Sequence, residues 1–498
     1  MLWTRSVLRS VWIIASILFS TVGIATPVAT RQATPQATAK PPATGTPGKR
    51  PNLVFLMTDN QRQDALGCSG NPIIRTPNVD GLASRGLRFT NAFCTTSICA
   101  ATRASIFTGQ YRRTHGYTFE KPAMTIATME QSYPALLKKA GYRTGFVGKI
   151  GVHLDQGVAE TIFDFSRFNQ GSSTHDPYYR KAPDGTTKHL TTINGDHAID
   201  FLRSSSASQP FCLSVSFSAP HPEDDNPEQY IYDRDLEALY RDVTVPPPPA
   251  SESRHFEELP EFLRVSMCRQ RWFRRFDKPE KYQKMMKAMY RLLTGVDVQV
   301  GRILDEIRRI GAEDNTVIVF TSDNGLLTGE HGITGIWLMY EPSIRLPLVV
   351  YDPRLPEARR GKVVSELALN VDYGPTLLDL AGVEISPAMQ GRSLVPLLKG
   401  DARDWPTDFF YEHFFRPSRL KTNKDNLPRS EGLRTERWKY VHYFDERPTY
   451  EQLFDLENDP HEVENLASAG RHQETLGALR RRMEVLRAKA GPPWKPGR

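Results

Sequence analysis

Apolar residues in this chain fall into short unbroken runs separated by stretches of helical period. Asn52–Asp59 (NLVFLMTD), Tyr142–Lys149 (YRTGFVGK), Pro210–His221 (PFCLSVSFSAPH), Thr316–Asp323 (TVIVFTSD) and Leu346–Tyr351 are continuous runs of strand length with polar residues at their ends. Ala288–Gly311 places Leu292, Leu293, Val296, Val300, Ile303, Leu304 and Ile307 at helical spacing, and another helical stretch starts near Ala127. A strand without polar alternation is buried on both faces, the condition of a parallel sheet covered by helices on each side. The pattern predicts an α/β fold: a large mixed, mainly parallel sheet sandwiched by helices.

Past about Gly400 the pattern changes. Asp408–His413, Glu431–Arg437 and Trp438–Phe444 read as short antiparallel strands, and a helix is expected over roughly Arg471–Ala490. The expected organisation is a catalytic domain over 51–400 and a small α+β C-terminal domain over 401–498. Val243–Glu280 is Pro-rich, then charged and aromatic, and reads as an excursion from the sheet. Residues 26–50, rich in Thr, Ala, Pro and Gln, form a linker. Residues 1–25 read as a signal peptide: Arg5 and Arg9 precede an apolar core, Val11–Ala25, too short for a comfortable span, with Gly23 and Ala25 at the cleavage region and no lipobox cysteine after it. The expected location is secreted or periplasmic, with a membrane role only if that segment stays uncleaved.

Composition changes the picture little. The 498 residues carry a formal charge of +7, and Arg471–Arg498 holds eight Lys/Arg against two Glu, so the remainder is near neutral. A solvated basic helix and tail accounts for this, with docking on a polyanion as the alternative. No nucleic-acid motif accompanies the charge. The five cysteines are an odd number for an exported chain, so at least one thiol has another fate.

Ligands of an open parallel sheet bind beyond the carboxyl ends of its strands. Four expected strands end in Asp59-Asn60, Lys149, His221 and Asp323-Asn324. Singly, an Asp-Asn pair there is a turn or a cap. Together the two pairs offer oxygen ligands with two negative charges, suited to a hard cation such as Ca²⁺ or Mg²⁺. Cys99 lies between these segments. Its default role is a buried structural cysteine, although Arg103, four residues on, could lower its pKa.

The run Cys99-Ala100-Ala101-Thr102-Arg103 with A-S-I-F-T-G behind it resembles the signature of formylglycine-dependent sulfatases, in the alkaline phosphatase superfamily. The resemblance extends through R-P-N-L-V-F-L-M-T-D-N-Q, T-P-N-V-D-G-L-A, A-P-H-P, S-D-N-G with G-E-H-G, Y-E-P-S-I-R-L-P, R-T-E-R-W-K-Y and L-F-D-L-E-N-D-P-H-E, in order. It implies an alkaline phosphatase-like fold and hydrolysis of a sulfate ester, with a carbohydrate as the expected substrate. It implies a maturation enzyme that oxidises Cys99 to formylglycine (3-oxoalanine), whose hydrate attacks sulfur. By position, Asp59, Asn60, Asp323 and Asn324 resemble the Ca²⁺ ligands, with modified Cys99 completing the shell. Arg103 resembles the residue holding the hydrate, Lys149 a sulfate-binding cation, and His221 the group that protonates or orients the leaving oxygen. His331 is expected at the substrate or just behind the site.

The pattern departs from the family at three places. Asn60 stands where many members have Asp, which lowers the charge at the metal. Gly151 holds the position of a common His, with His153 two residues on. Ile336 replaces a sulfate-binding Lys. Two other readings therefore stand beside hydrolysis: a non-catalytic binder of sulfated glycans, and a phosphodiesterase or phosphonate monoester hydrolase on the same scaffold.

Overall fold

The computed structural model describes residues 50–119, 122–169, 177–181, 185–415 and 426–493. The expected leader, the linker up to residue 49, most of the basic segment Arg416–Arg429 and the last residues of the basic tail lie outside them. The described residues form one compact unit.

The apolar runs become strands of one nine-stranded sheet. These are β1 (Asn52–Thr58), β2 (Leu87–Phe93), β3 (Arg143–Gly148), β4 (Phe165–Phe168), β5 (Phe211–Ser216), β6 (Thr316–Ser322), β7 (Arg345–Tyr351), β8 (Lys362–Val364) and β9 (Ala368–Leu369). The order is β8-β2-β7-β6-β1-β5-β3-β4, with β9 also on β2. Every pairing is parallel except those of β7 with β2 and β6. All seven residues of β1 and of β6 are buried, as an unalternating apolar run requires. The sheet is covered by α1 (Pro77–Arg85), α2 (Cys99–Thr108), α3 (Leu190–Arg203) and others. The periodic stretch expected from Ala288 is longer, because Pro279 begins it and the helix continues to Arg309. Proline suits the first helical turn, where its missing N–H would have no partner anyway.

The Val243–Glu280 excursion is not irregular. It contains short helices and one longer one, α4 (Met267–Arg275), joined almost directly to α5 (Pro279–Arg309). The C-terminal part is a second, four-stranded antiparallel sheet, β10 (Asp408–His413), β11 (Ser430–Thr435), β12 (Trp438–Tyr443) and β13 (Tyr450–Asp455), in sequence order. The helix α6 (Gln473–Lys489) packs on it through Leu476, Leu479 and Met483. Much of the helix's basic charge is spent on that sheet. Arg482 pairs with Asp408 at 2.6 Å, Arg487 with Glu431 at 2.9 Å, and Arg480 with Glu451. These guanidiniums are neutralised locally, which corrects the expectation of a freely solvated basic face.

The two sheets are tied by buried charge. Lys439 of β12, fully buried, lies 2.8 Å from Glu341 and 2.7 Å from Glu462, and Glu462 accepts the Glu341 N–H at 2.7 Å. Burial acts first on both acids, raising them. At Glu341 the cations Lys439, Arg434 and Arg345 win and hold it low; at Glu462 burial and Glu341 win and hold it high. Removing the shared cation leaves two facing carboxylates. Lys439→Met should therefore cost about 3–5 kcal/mol at mildly alkaline pH, measured by urea unfolding. Glu462 is raised in the fold, so acid supplies the proton it favours. The loss should shrink as pH falls toward the ordinary glutamate range.

Candidate active site

β1 and β6 run parallel with Thr58 opposite Ser322. The next two residues of each chain leave the sheet side by side, so Asp59-Asn60 meets Asp323-Asn324. The Asn60 N–H donates to Asp323 Oδ1 at 3.1 Å, the Asn324 N–H to the same oxygen at 2.8 Å, and Asn324 Nδ2 to Asn60 Oδ1 at 2.5 Å. Asn60 has φ 67°, a left-handed conformation that asparagine tolerates better than most residues. On the other flank β5 pairs with both β1 and β3, with Ser216 opposite Met57 and Gly148. That register brings Lys149 to the same edge.

Arg103 knits these strand ends together. Its side chain is fully buried. Nε donates to Asp323 Oδ2 at 2.9 Å and Nη2 to Asp59 Oδ2 at 3.1 Å; Nη1 donates to the Lys149 carbonyl at 2.6 Å and to Ser216 Oγ at 2.5 Å. Among the described residues, one N–H, on Nη2, is left without a partner. Arg103 is thus first a brace for two carboxylates, a part that sequence reasoning missed, as it missed Ser216. Lys149 Nζ lies 2.5 Å from Asp59 Oδ2 and keeps its other ammonium hydrogens. Burial works against the Lys149 charge, but Asp59 outweighs it and the amine stays protonated. Burial likewise presses both aspartates upward. Lys149, His221 and Arg103 overcome it at Asp59, whereas the nearby Asp59 charge adds to it at Asp323, which is held high.

Two buried oxygens in this cluster, Asp59 Oδ1 and Asn324 Oδ1, have no hydrogen-bond partner among the described residues. Buried oxygens are rarely left so. No group of three or more His, Cys, Asp or Glu side chains among the described residues could hold a metal ion. The strand-end set is instead two carboxylates and two carboxamides, a donor chemistry that fits a hard cation.

Cys99 opens α2, whose ten residues are all buried. All five cysteines are unpaired. Burial pushes the Cys99 thiol up to about 12; Asp59 and Asp323 add to the rise, while Lys149 and Arg103 oppose it. Arg103 does act to lower this pKa, as expected, but burial outweighs it, so the expectation of a net depression is corrected. A thiol this weakly acidic is a poor nucleophile at neutral pH.

His221 Nδ1 lies 2.7 Å from the Pro222 carbonyl oxygen. A carbonyl only accepts, so Nδ1 carries the hydrogen and Nε2 is left as an acceptor. Burial, then Lys149, lowers the imidazole to about 4, so it is neutral at physiological pH. Two further expected residues have other neighbours. His153 is exposed; its backbone N–H donates to Tyr117 Oη at 2.6 Å and its carbonyl accepts from the Met124 N–H at 2.8 Å. His331 lies against His255 and Tyr340 and lines a cavity of about 280 Å³ with Arg62, Glu330, Glu341, Arg345 and His461.

The departures have local causes. Gly151 has φ 71°, and a Cβ there would lie 2.3 Å from Arg103 Cδ. The site keeps glycine because the brace passes against it. Ile336 is buried in the core, and the following Trp337 (φ 82°) gives its N–H to Ser97 O at 2.9 Å.

The family profile described as Sulfatase matches residues 51–383, and one described as N-sulphoglucosamine sulphohydrolase, C-terminal, matches 329–489. The chain is 30% identical over 481 residues to an N-acetylglucosamine-6-O-sulfatase of Bacteroides thetaiotaomicron, covering 84% of this chain and 83% of that protein. It is 29% identical to an arylsulfatase of Clostridium perfringens, covering 87% and 93%. A solved structure described as a complex with its substrate D-glucosamine-2-N,6-O-disulfate superposes with a TM-score of 0.73 at 26% identity, covering 89% of this chain and 98% of that one.

Gly151 tests the brace directly. Gly151→Ala should lose about 1–3 kcal/mol of unfolding free energy, from left-handed strain and displacement of Arg103. Gly151→His, which writes in the residue common elsewhere, should lose more. An unchanged urea midpoint in the alanine variant would contradict the packing argument.

Proposed function

The chain belongs to the sulfatase family and is a sulfuric ester hydrolase; from that premise we propose that it cleaves a sulfate ester on a carbohydrate, using a formylglycine made from Cys99 beside a calcium ion. The observation that carries the reading is the pair of partnerless buried oxygens, Asp59 Oδ1 and Asn324 Oδ1, in a cluster whose charges act on Cys99. Asp59, Asn60, Asp323 and Asn324 would hold the ion. The similarity to an N-acetylglucosamine-6-O-sulfatase favours a sulfated amino sugar as substrate. Export through the N-terminal leader belongs to the same proposal and rests on the sequence.

When bound, calcium would lower the cost of negative charge on an attacking oxygen, which a hydrated aldehyde at position 99 would supply. The chain's own groups do the rest. Arg103 keeps Asp59 and Asp323 apart and aimed, and its spare Nη2 hydrogen is the donor it has left for position 99. Lys149 meets the non-bridging oxygens with the ammonium hydrogens that Asp59 does not use, placing positive charge where negative charge gathers in the transition state. His221 begins neutral with Nε2 open. An anionic ester bound beside it raises its proton affinity, so a proton taken up at Nε2 can pass to the departing alcohol oxygen.

Five measurements test this. Peptide mass spectrometry across Cys99 should find the aldehyde or its hydrate in place of the thiol. Cys99→Ala should abolish hydrolysis of an aryl sulfate while leaving the melting temperature nearly unchanged; activity at the parent level would end the assignment. Calcium at about a hundred times its Kd should stabilise the protein by about 2.7 kcal/mol, seen as a rise in melting temperature that Asp323→Ala removes. A chelator should lower both stability and turnover. Parallel rates on an aryl phosphate decide against or for phosphoryl chemistry.

A further inference from the structure

Arg271 lies on α4, in the excursion that leaves the sheet. Its guanidinium carbon sits 4.6 Å from the centre of the Trp337 ring. Trp337 is anchored beside the nucleophile: its N–H is held by Ser97 O, and its carbonyl accepts from Tyr411 Oη at 2.7 Å. On the other side Arg271 Nη2 donates to Asp224 Oδ2 at 3.0 Å, three residues after His221. The side chain is 20% exposed. Its Nε and Nη1 hydrogens make no hydrogen bond among the described residues.

The local charge is unbalanced. Asp224 also pairs with Arg275, and Arg274 Nη1 donates to the Asp224 carbonyl at 2.8 Å. One carboxylate thus stands among three guanidiniums, and Arg275 is itself fully buried. The Trp337 ring on one side and the Asp224 hydrogen bond on the other restrain the Arg271 fork, so little is lost in ordering it when it binds. Arg271 is near enough to His221 for its charge to act on that imidazole, and in the proposed reaction His221 faces the leaving alcohol.

We propose that Arg271 is a specificity-determining residue that binds a second anionic substituent on the sugar carrying the scissile sulfate. The inference rests on the reading of the site as one for a sulfated sugar. It supplies a reason for α4 to bring a guanidinium onto Trp337. Trp337 would form the platform, with its buried, unpartnered indole N–H. Asp224 would hold the fork in place and is a positioning residue.

The test uses calcium-loaded full-length protein carrying Cys99→Ala, so that binding is read without turnover. Glucosamine 2-N,6-O-disulfate and N-acetylglucosamine 6-O-sulfate are titrated by calorimetry. The disulfate should bind more tightly. Adding Arg271→Ala should weaken it about 10- to 100-fold, the range for a charge-assisted contact, and weaken the monosulfate less than about threefold. Arg271→Lys should keep part of the preference. Equal loss for both sugars, an unchanged preference in Arg271→Ala, or no binding of either sugar to the Cys99→Ala protein would overturn the proposal. Aryl sulfate turnover by the unmutated protein reports separately on the premise: its absence alongside an intact Arg271-dependent preference would refute hydrolysis and leave the anion site standing.

Discussion

Two aspartates that cannot both be buried and charged without a shared cation set the terms for this structure. Asp59 and Asp323 are each fully buried, and Arg103 joins them at 3.1 and 2.9 Å. Burying ions is expensive unless geometry and further hydrogen bonds offset the desolvation. Arg103 meets that condition through the Lys149 carbonyl and Ser216, so the brace spans β1, β3, β5 and β6 at once. A bound divalent ion would complete the same balance from the other side, taking the oxygens that Arg103 leaves free. The sheet's central strands and the chemical site are therefore stabilised by one set of contacts.

That arrangement explains why departures from the family pattern are tolerated where they occur. Position 151 faces the brace, and no Cβ fits there without moving Arg103. A histidine would compete with the contact that orders both acids. Position 336 is packed in the core, while its neighbour Trp337 carries the link to Ser97. Beside it, α4 brings the Arg271 guanidinium carbon to 4.6 Å from the centre of the Trp337 ring. Loops held by a rigid sheet can change in this way without disturbing the residues that the register itself aligns.

Register also decides what could be read from the sequence. The unbroken runs at Asn52, Tyr142, Pro210 and Thr316 identified strands of the sheet, and their polar ends named Asp59, Asn60, Lys149, His221, Asp323 and Asn324 before any coordinate. Parallel pairing with Thr58 opposite Ser322 then brings two of those ends together. The sequence could not show β2, whose LRFTNAF mixes polar and apolar residues because only one of its faces is fully buried. Nor could it show that Arg103 is consumed by carboxylates, since that follows from burial and not from spacing. The basic C-terminal helix misled for the same reason: its partners Asp408, Glu431 and Glu451 lie on strands far away in the chain.

Electrostatic state, finally, separates residues that share a wall of the site. Lys149 remains charged because Asp59 outweighs its burial; His221, a short distance away, is neutral because burial and Lys149 act in the same direction. The ammonium that favours an anion thus adds to the burial that keeps the imidazole unprotonated. In the proposed reaction an ester anion at Lys149 would offset that ammonium's share and leave burial, the larger cause, in place. Proton uptake at His221 would then favour the occupied site over the empty one.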